Sequence, residues 1–219
     1  MHFHVVTLFP KAFDSYLGES ILKRALEDKK IRVSFYNPRD FAENKWKRID
    51  RPPYAGGPGM VIQAEPVARA IESALKKAKQ AAKIIFLSPR GKEFSNDYAA
   101  KTAKKFKNIV IVCGRYEGID ARVKKIFRMD EVSVGPFVLT GGELPAMLIM
   151  DVMARQVPGV LGNLDSLEER RISSSEVYTR PEVFKYKGKS YRVPKILLSG
   201  HQAKIEEWKW KKGGALDKK

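Results

Sequence analysis

The chain has 219 residues, 43% hydrophobic and 31% charged, with 42 Lys and Arg against 25 Asp and Glu. That apolar share is ordinary for a globular protein, and the single cysteine, Cys113, permits no internal disulfide. The longest weakly charged apolar run, 132–150, is interrupted by Gly135, Pro136, Gly141, Gly142, Glu143 and Pro145, which excludes a bilayer span of about 20 apolar residues. Collagen, disulfide scaffolds and zinc ribbons are excluded by the same counts. No signal-peptide pattern is evident in MHFHVVTLFPK, so a cytoplasmic protein is expected. The net charge of +17 favours a phosphate-rich partner such as nucleic acid. Lysines cluster in 76–83, 101–107 and 209–219.

Residues 3–9 (FHVVTLF) read as an opening strand. Leu17, Ile21, Leu22, Ala25 and Leu26 follow at helical spacing within 14–30, and 31–38 alternates like a strand that stops at Pro38. The stretch 39–59 is polar, then rich in Gly and Pro, and ends in YAGGPGM (54–60). Pro66 suits a first helical turn, and Val67, Ala70, Ile71, Ala74, Leu75 and Ala78 continue that helix. KIIFLSP (83–89) is a buried-strand pattern, Ser95 an N-cap for a helix to about Lys107, NIVIVCG (108–114) the next strand and 118–127 the next helix. Continuous Val and Ile runs alternating with helices predict a mostly parallel sheet covered on both faces. Ligands bind such sheets beyond the carboxyl ends of the strands, which directs attention to the loops after Leu87, Cys113 and Val134. The helix 146–155 is apolar nearly all round, so burial on every side is expected, with a subunit interface as one means. The domains read as 1–160, a polar linker 161–177, and a small basic unit 178–219, in which 183–198 pairs around Lys187-Gly188 and Ser199 caps a last helix.

Neither GxxxxGK nor a strand-borne GxGxxG occurs. His2 and His4 share one strand face, but two ligands do not make a zinc site, and a structural role is the simpler reading. Cys113 ends an apolar strand and reads as a small core residue. The informative feature is glycine at strand ends. GRYEG (114–118) lets backbone approach a ligand. In VGPFVLTGGELPAM (134–147), two glycine pairs bracket an apolar stretch that can wrap an uncharged, partly apolar ligand such as an adenosine moiety.

LSP (87–89), CGRYEGID (113–120), VGPFVLTGGELPAM (134–147), RQVPGVLGN (155–163) and YTRPEVF (178–184), framed by YAGGPGM (54–60) and LLSG (197–200), occur in an order that resembles the bacterial tRNA (guanine-N1)-methyltransferases of the SPOUT class. The resemblance covers almost the whole chain. It implies an α/β fold with a parallel sheet and a C-terminal trefoil knot, followed by a small, mainly helical domain that binds tRNA. It further implies a homodimer whose active sites each use residues of both subunits. The implied reaction moves a methyl group from S-adenosylmethionine (SAM) to N1 of guanosine 37, just 3′ of the anticodon, with Mg²⁺ a family expectation only. On that pattern SAM is held by Leu87, Ser88 and Pro89, then by Gly114, Tyr116, Glu117 and Gly118. The third cofactor loop supplies Ser133, Val134, Gly135, Pro136, Phe137, Val138, Leu139, Gly141, Gly142 and Pro145. Tyr54, Gly56, Gly57, Pro58 and Gly59 belong to the guanosine pocket, where Ala55 replaces a glycine common in the family.

Guanine N1 holds a proton that a base must remove while a cation steadies charge on O6. The resemblance assigns the cation to Arg155. The family's aspartate base falls, aligned without gaps, on Arg170, which accepts no proton at neutral pH. Glu169 beside it is the first candidate, with Asp165 next and Glu168 expected to face away. LSGHQ stands where LSGNH is typical. That departure at the base leaves two other readings open, a SPOUT enzyme with another RNA target such as a ribose 2′-hydroxyl, and a basic RNA-binding protein without catalysis.

Overall fold

Five segments, the central ones rich in Val and Ile, become the strands of one sheet. In the computed structural model, which describes residues 1–54, 56–162 and 176–212, these are β1 (His2–Val6), β2 (Arg32–Tyr36), β5 (Ala82–Glu93), β6 (Asn108–Val112) and β7 (Asp130–Ser133). They lie in the order β2-β1-β6-β5-β7 and every pairing is parallel. Successive side chains point to opposite faces, so each central strand feeds two cores. Ile109 and Ile111 pack with Phe3, Ile85, Ile149 and Met153 on one face, while Val110 and Val112 pack with Val67, Ile71 and Val123 on the other. Helices α2 (Ser20–Glu27), α4 (Asn96–Lys105) and α6 (Glu143–Arg155) supply the first face. Helices α3 (Ala64–Ala78) and α5 (Arg122–Ile126) supply the second. The parallel α/β expectation is met.

Several element boundaries differ for local reasons. The expected helix over 14–30 is broken into α1 (Asp14–Leu17) and α2, because Gly18 closes α1 against the Asp14 carbonyl and Ser20 takes a positive φ of 51°. The helix expected from Gly118 starts only at Arg122, since Asp120 accepts from the Arg122 backbone and side chain and holds 118–121 as a turn. β5 runs past Pro89 by means of a bulge. Leu87 and Lys92 both face Val132, and 88–91 are pushed out of the ladder. A Cβ on Gly91 would lie 2.4 Å from the Val132 nitrogen, so that bulge closes only over glycine. Ser95 caps α4 as expected, accepting from the Tyr98 amide at 3.2 Å. The Gly-rich segment 54–60 is framed by a two-residue antiparallel pair, β3 (Asp50–Arg51) with β4 (Val61–Ile62).

His2 and His4 are structural within the described chain. Their rings lie 3.9 Å apart; His2 bonds the Ser34 hydroxyl, and His4 bonds Tyr36 Oη and Asn108 Oδ1. Burial and neighbouring positive charge push the His2 imidazole down to about 4. Within the single chain α6 is buried on one side: Ile149, Met150, Met153 and Ala154 are buried, while Leu144 and Leu148 are 59% and 42% exposed, on the side for which the sequence suggested a subunit interface. Those two leucines, four residues apart, form one stripe on the helix.

The chain divides into two compact units, residues 1–162 and 163–219. The second contains a hairpin, β8 (Val183–Tyr186) with β9 (Lys189–Arg192), then α7 (Lys195–Leu198) and α8 (Gln202–Lys212). The hairpin turns at Lys187-Gly188 as the sequence suggests, with positive φ at both residues. Ser199 does not cap α8. Its hydroxyl donates to the Ile196 carbonyl and accepts from the His201 amide, closing α7.

Candidate active site

The bulge within β5 and the loops that leave the carboxyl ends of β6 and β7 enclose a cleft of about 570 Å³, a size suited to a nucleoside-like small molecule. The bulge gives it Leu87, Ser88 and Pro89; the loop after β6 gives Gly114, Tyr116, Glu117 and Gly118. The loop after β7 gives Ser133, Val134, Phe137, Val138, Leu139, Gly141, Gly142 and Pro145. Gly135 and Pro136 lie in that same loop but do not line the cleft. Ser133 instead ties the turn there, its hydroxyl donating to the Gly135 carbonyl at 2.9 Å.

The loops after β6 and β7 are locked to one another by a group that the sequence reading missed. Glu143, 3% exposed, starts α6 and accepts from Thr7 Oγ1 at 2.7 Å and from Arg115 Nε at 2.9 Å. Arg115 also donates to the Thr140 carbonyl and lies over the Phe9 ring at 4.6 Å. One buried carboxylate therefore joins the end of β1, the 113–118 loop, the 134–142 loop and α6. A bridge between Arg115 and Gly141 and a bond from the Gly142 amide to the Gly114 carbonyl bring the second and third loops into direct contact. At Gly142 a Cβ would meet Cys113 Cα at 2.7 Å, so only glycine allows this crossing. The signal was present in the sequence: Glu143 is the sole acid in an apolar run and follows a glycine pair.

Both charge signs reach the cleft wall. Glu117 and Glu131 line it, as do Arg90, Arg115 and Lys124. A Ser88 hydrogen bond and the Lys124 ammonium at 2.9 Å hold the Glu131 carboxyl below the usual carboxylate range. Burial pushes the Cys113 thiol well up, which makes it a core residue rather than a nucleophile.

Tyr54, Gly56, Gly57, Pro58 and Gly59 are exposed and do not line this cleft, but their loop is fastened beside it. The Glu117 amide donates to the Met60 carbonyl, and the Ile62 amide to the Gly118 carbonyl. Tyr54 is 98% exposed, and Trp46, which the sequence reading did not single out, is 83% exposed on a turn closed by Asn44 and Arg48. Arg155 ends α6, whereas Glu143 begins it; at 1.5 Å per residue the two backbones stand about 18 Å apart. Arg155 accordingly does not line the cleft of its own chain. Glu169 and Asp165, together with Glu168 and Arg170, lie outside the described residues. Among the described residues no three His, Cys, Asp or Glu side chains are grouped to hold a metal, and no helix is long and apolar enough to cross a membrane.

A family profile described as tRNA (Guanine-1)-methyltransferase TrmD matches residues 1–216. The chain is 44% identical to a tRNA (guanine-N(1)-)-methyltransferase of Geobacter sulfurreducens, over 100% of this chain and 89% of that protein. It is 46% identical to one of Thermomicrobium roseum, over 95% and 77% respectively. A third, from Clostridioides difficile, is 41% identical over 95% of this chain and 90% of its own length. Matched over nearly its full length by both the profile and these relatives, the chain belongs to the tRNA (guanine-1)-methyltransferase family.

Proposed function

We propose that this protein transfers a methyl group from SAM to N1 of guanosine 37 of tRNA, acting as a homodimer in the cytoplasm. The observation that carries the reading is the cleft, the β5 bulge and two strand-end loops that Glu143 fixes to each other, in a chain of this family. The cleft suits SAM chemically. Apolar Leu87, Val134 and Leu139 can flank an adenine, close backbone at Gly114 and Gly141 can serve its polar edge, and Glu117 and Glu131 favour a cation. When bound there, SAM supplies a methyl group already activated on a sulfonium.

The remaining work falls to this chain's side chains. A carboxylate must take the N1 proton and a cation must steady O6 as charge develops. Arg155 is the proposed cation. Its distance along α6 from the cleft supports its service to the partner's site rather than its own, and the exposed Leu144–Leu148 stripe supplies an apolar surface for that pairing. Glu169 is the proposed base. Glu169→Gln should cut single-turnover methylation by roughly 10²-fold with little change in SAM binding, and Asp165→Asn should cost less. A trefoil knot is part of the same proposal, supported by the tight crossings at Gly91 and Gly142. Mg²⁺ finds no three-ligand group among the described residues, and no step here requires it.

Labelled SAM incubated with transcripts carrying guanosine or adenosine at position 37 tests the reading. Label should enter the guanosine transcript alone. Incorporation into both, or into neither, would overturn it. Mixing Arg155→Ala with Gly142→Val subunits tests the shared site: two inactive homodimers should regain up to about a quarter of wild-type activity, because half the dimers hold one intact composite site. No recovery would place Arg155 outside the partner's site.

A further inference from the structure

The second unit carries a surface that the cleft does not explain. From Val183 to Arg192 the chain reads VFKYKGKSYR, three aromatics interleaved with four cations and no acid. In the hairpin, Phe184 pairs with Tyr191 and Tyr186 with Lys189, so the three rings and one lysine share a face. Phe184 and Tyr186 are near parallel, 13° between planes and 6.2 Å between centroids, and Tyr191 lies 6.5 Å from Phe184. All three rings are more than half exposed, at 56%, 53% and 54%. The Lys187 ammonium sits 5.5 Å from the Tyr186 centroid, at the end of the same row.

An exposed row of rings on a cation-rich ribbon has a specific chemical complement. Apolar ring faces left in water favour a flat partner, and the cations require that partner to be anionic. Unpaired nucleotides satisfy both: bases stack on aromatic rings whatever their identity, and phosphates meet the lysines. Base-paired RNA satisfies only the second, because its ring faces are already stacked on one another. We infer that the β8–β9 hairpin is a stacking platform for unpaired nucleotides of the RNA substrate, with Phe184, Tyr186 and Tyr191 as the rings and Lys187 and Lys189, at the Tyr186 end of the same face, as phosphate contacts. The inference rests on the proposed tRNA substrate and adds where unpaired bases of that RNA are held.

The test uses the full chain with three probes: tRNA transcript, a short unstructured oligouridine strand, and an RNA duplex of equal length. The Phe184→Leu/Tyr191→Leu double variant keeps apolar bulk without rings. It should weaken tRNA and oligouridine binding roughly five-fold or more, leave duplex and SAM binding unchanged, and keep the wild-type salt slope. The Phe184→Tyr/Tyr191→Phe variant keeps the rings and should bind as wild type, which a purely structural role for bulk would not distinguish from the leucine pair. Lys187→Gln/Lys189→Gln should instead flatten the salt slope. Unchanged oligouridine affinity in the leucine variant, or an equal loss for the duplex, would overturn the platform. If wild-type protein methylates no tRNA at all, the catalytic reading fails, and the oligouridine measurement still judges the hairpin separately.

Discussion

The two units are held together differently. In residues 1–162 both faces of the sheet carry closed cores, with Phe3, Ile85, Ile111 and Ile149 fully buried, and even the cleft is braced by a carboxylate at 3% exposure. Among the described residues of the second unit, 176–212, none is buried; Phe184, Tyr186, Tyr191 and Trp210 all keep more than half their surface. Its visible ties are a four-pair hairpin, the Tyr178–Trp208 ring contact and exposed ion pairs such as Lys212 with Glu176 at 2.9 Å. Exposed pairs of that kind contribute little. The first unit spends its apolar residues on a rigid frame for chemistry. The second leaves them on the surface, where a partner can use them.

Core substitutions should break this contrast most visibly. Ile111→Ala removes a fully buried side chain and should cost about 2–5 kcal/mol in denaturant unfolding, whereas Ile205→Ala, half-buried in α8, should cost under about 1 kcal/mol. Comparable losses would mean that the second unit has a core of similar quality. Glu143→Gln keeps the shape of the cleft brace but removes the charge facing Arg115. It should cost about 1.5–3 kcal/mol and lower SAM affinity in calorimetry, with oligouridine binding unchanged.

Salt should separate the units next. Phosphate contacts release counterions, so tRNA affinity should fall roughly ten-fold or more between about 50 and 200 mM salt, while SAM affinity barely moves. A flat tRNA response would contradict binding driven by the +17 charge.

The smallest effect is on pH. His2 is held near 4 by burial first and then by positive neighbours including His4, Arg32 and Lys77; His4 is also lowered, chiefly by burial. The unfolded state takes up protons from about pH 6.5 downward while the folded state resists until near 4. Stability of the first unit should therefore be complete above 6.5 and fall between 6.5 and 4. The decline should be shallower in His2→Gln. An unchanged slope in that variant would remove His2 as the cause.

What was legible in the sequence depended on local pattern. Val and Ile runs gave β1, β6 and their neighbours, Ser95 marked a helix start, Lys187-Gly188 marked the hairpin turn, and the carboxyl-end rule, with glycine motifs in two of the three, pointed to the segments that line the cleft. What escaped depended on distant backbones meeting. The 88–91 bulge exists because β7 runs against Gly91, and Glu143 matters because Thr7 and Arg115, far apart in sequence, both reach it. Composition likewise reports how apolar α6 is, but not which part of it the chain itself covers. Periodicity carries no information about which loops cross.

The most direct measurement maps the methyl group itself. A methyl on guanine N1 blocks the base-pairing edge, so reverse transcription of tRNA treated with wild-type protein and SAM should stop one nucleotide 3′ of guanosine 37. The stop should vanish with Gly142→Val, whose side chain would collide with Cys113 behind the cleft and push apart the two loops that cross there. A stop at another nucleotide, or read-through of a transcript that has nonetheless gained the methyl group, would contradict methylation at N1 of that guanosine.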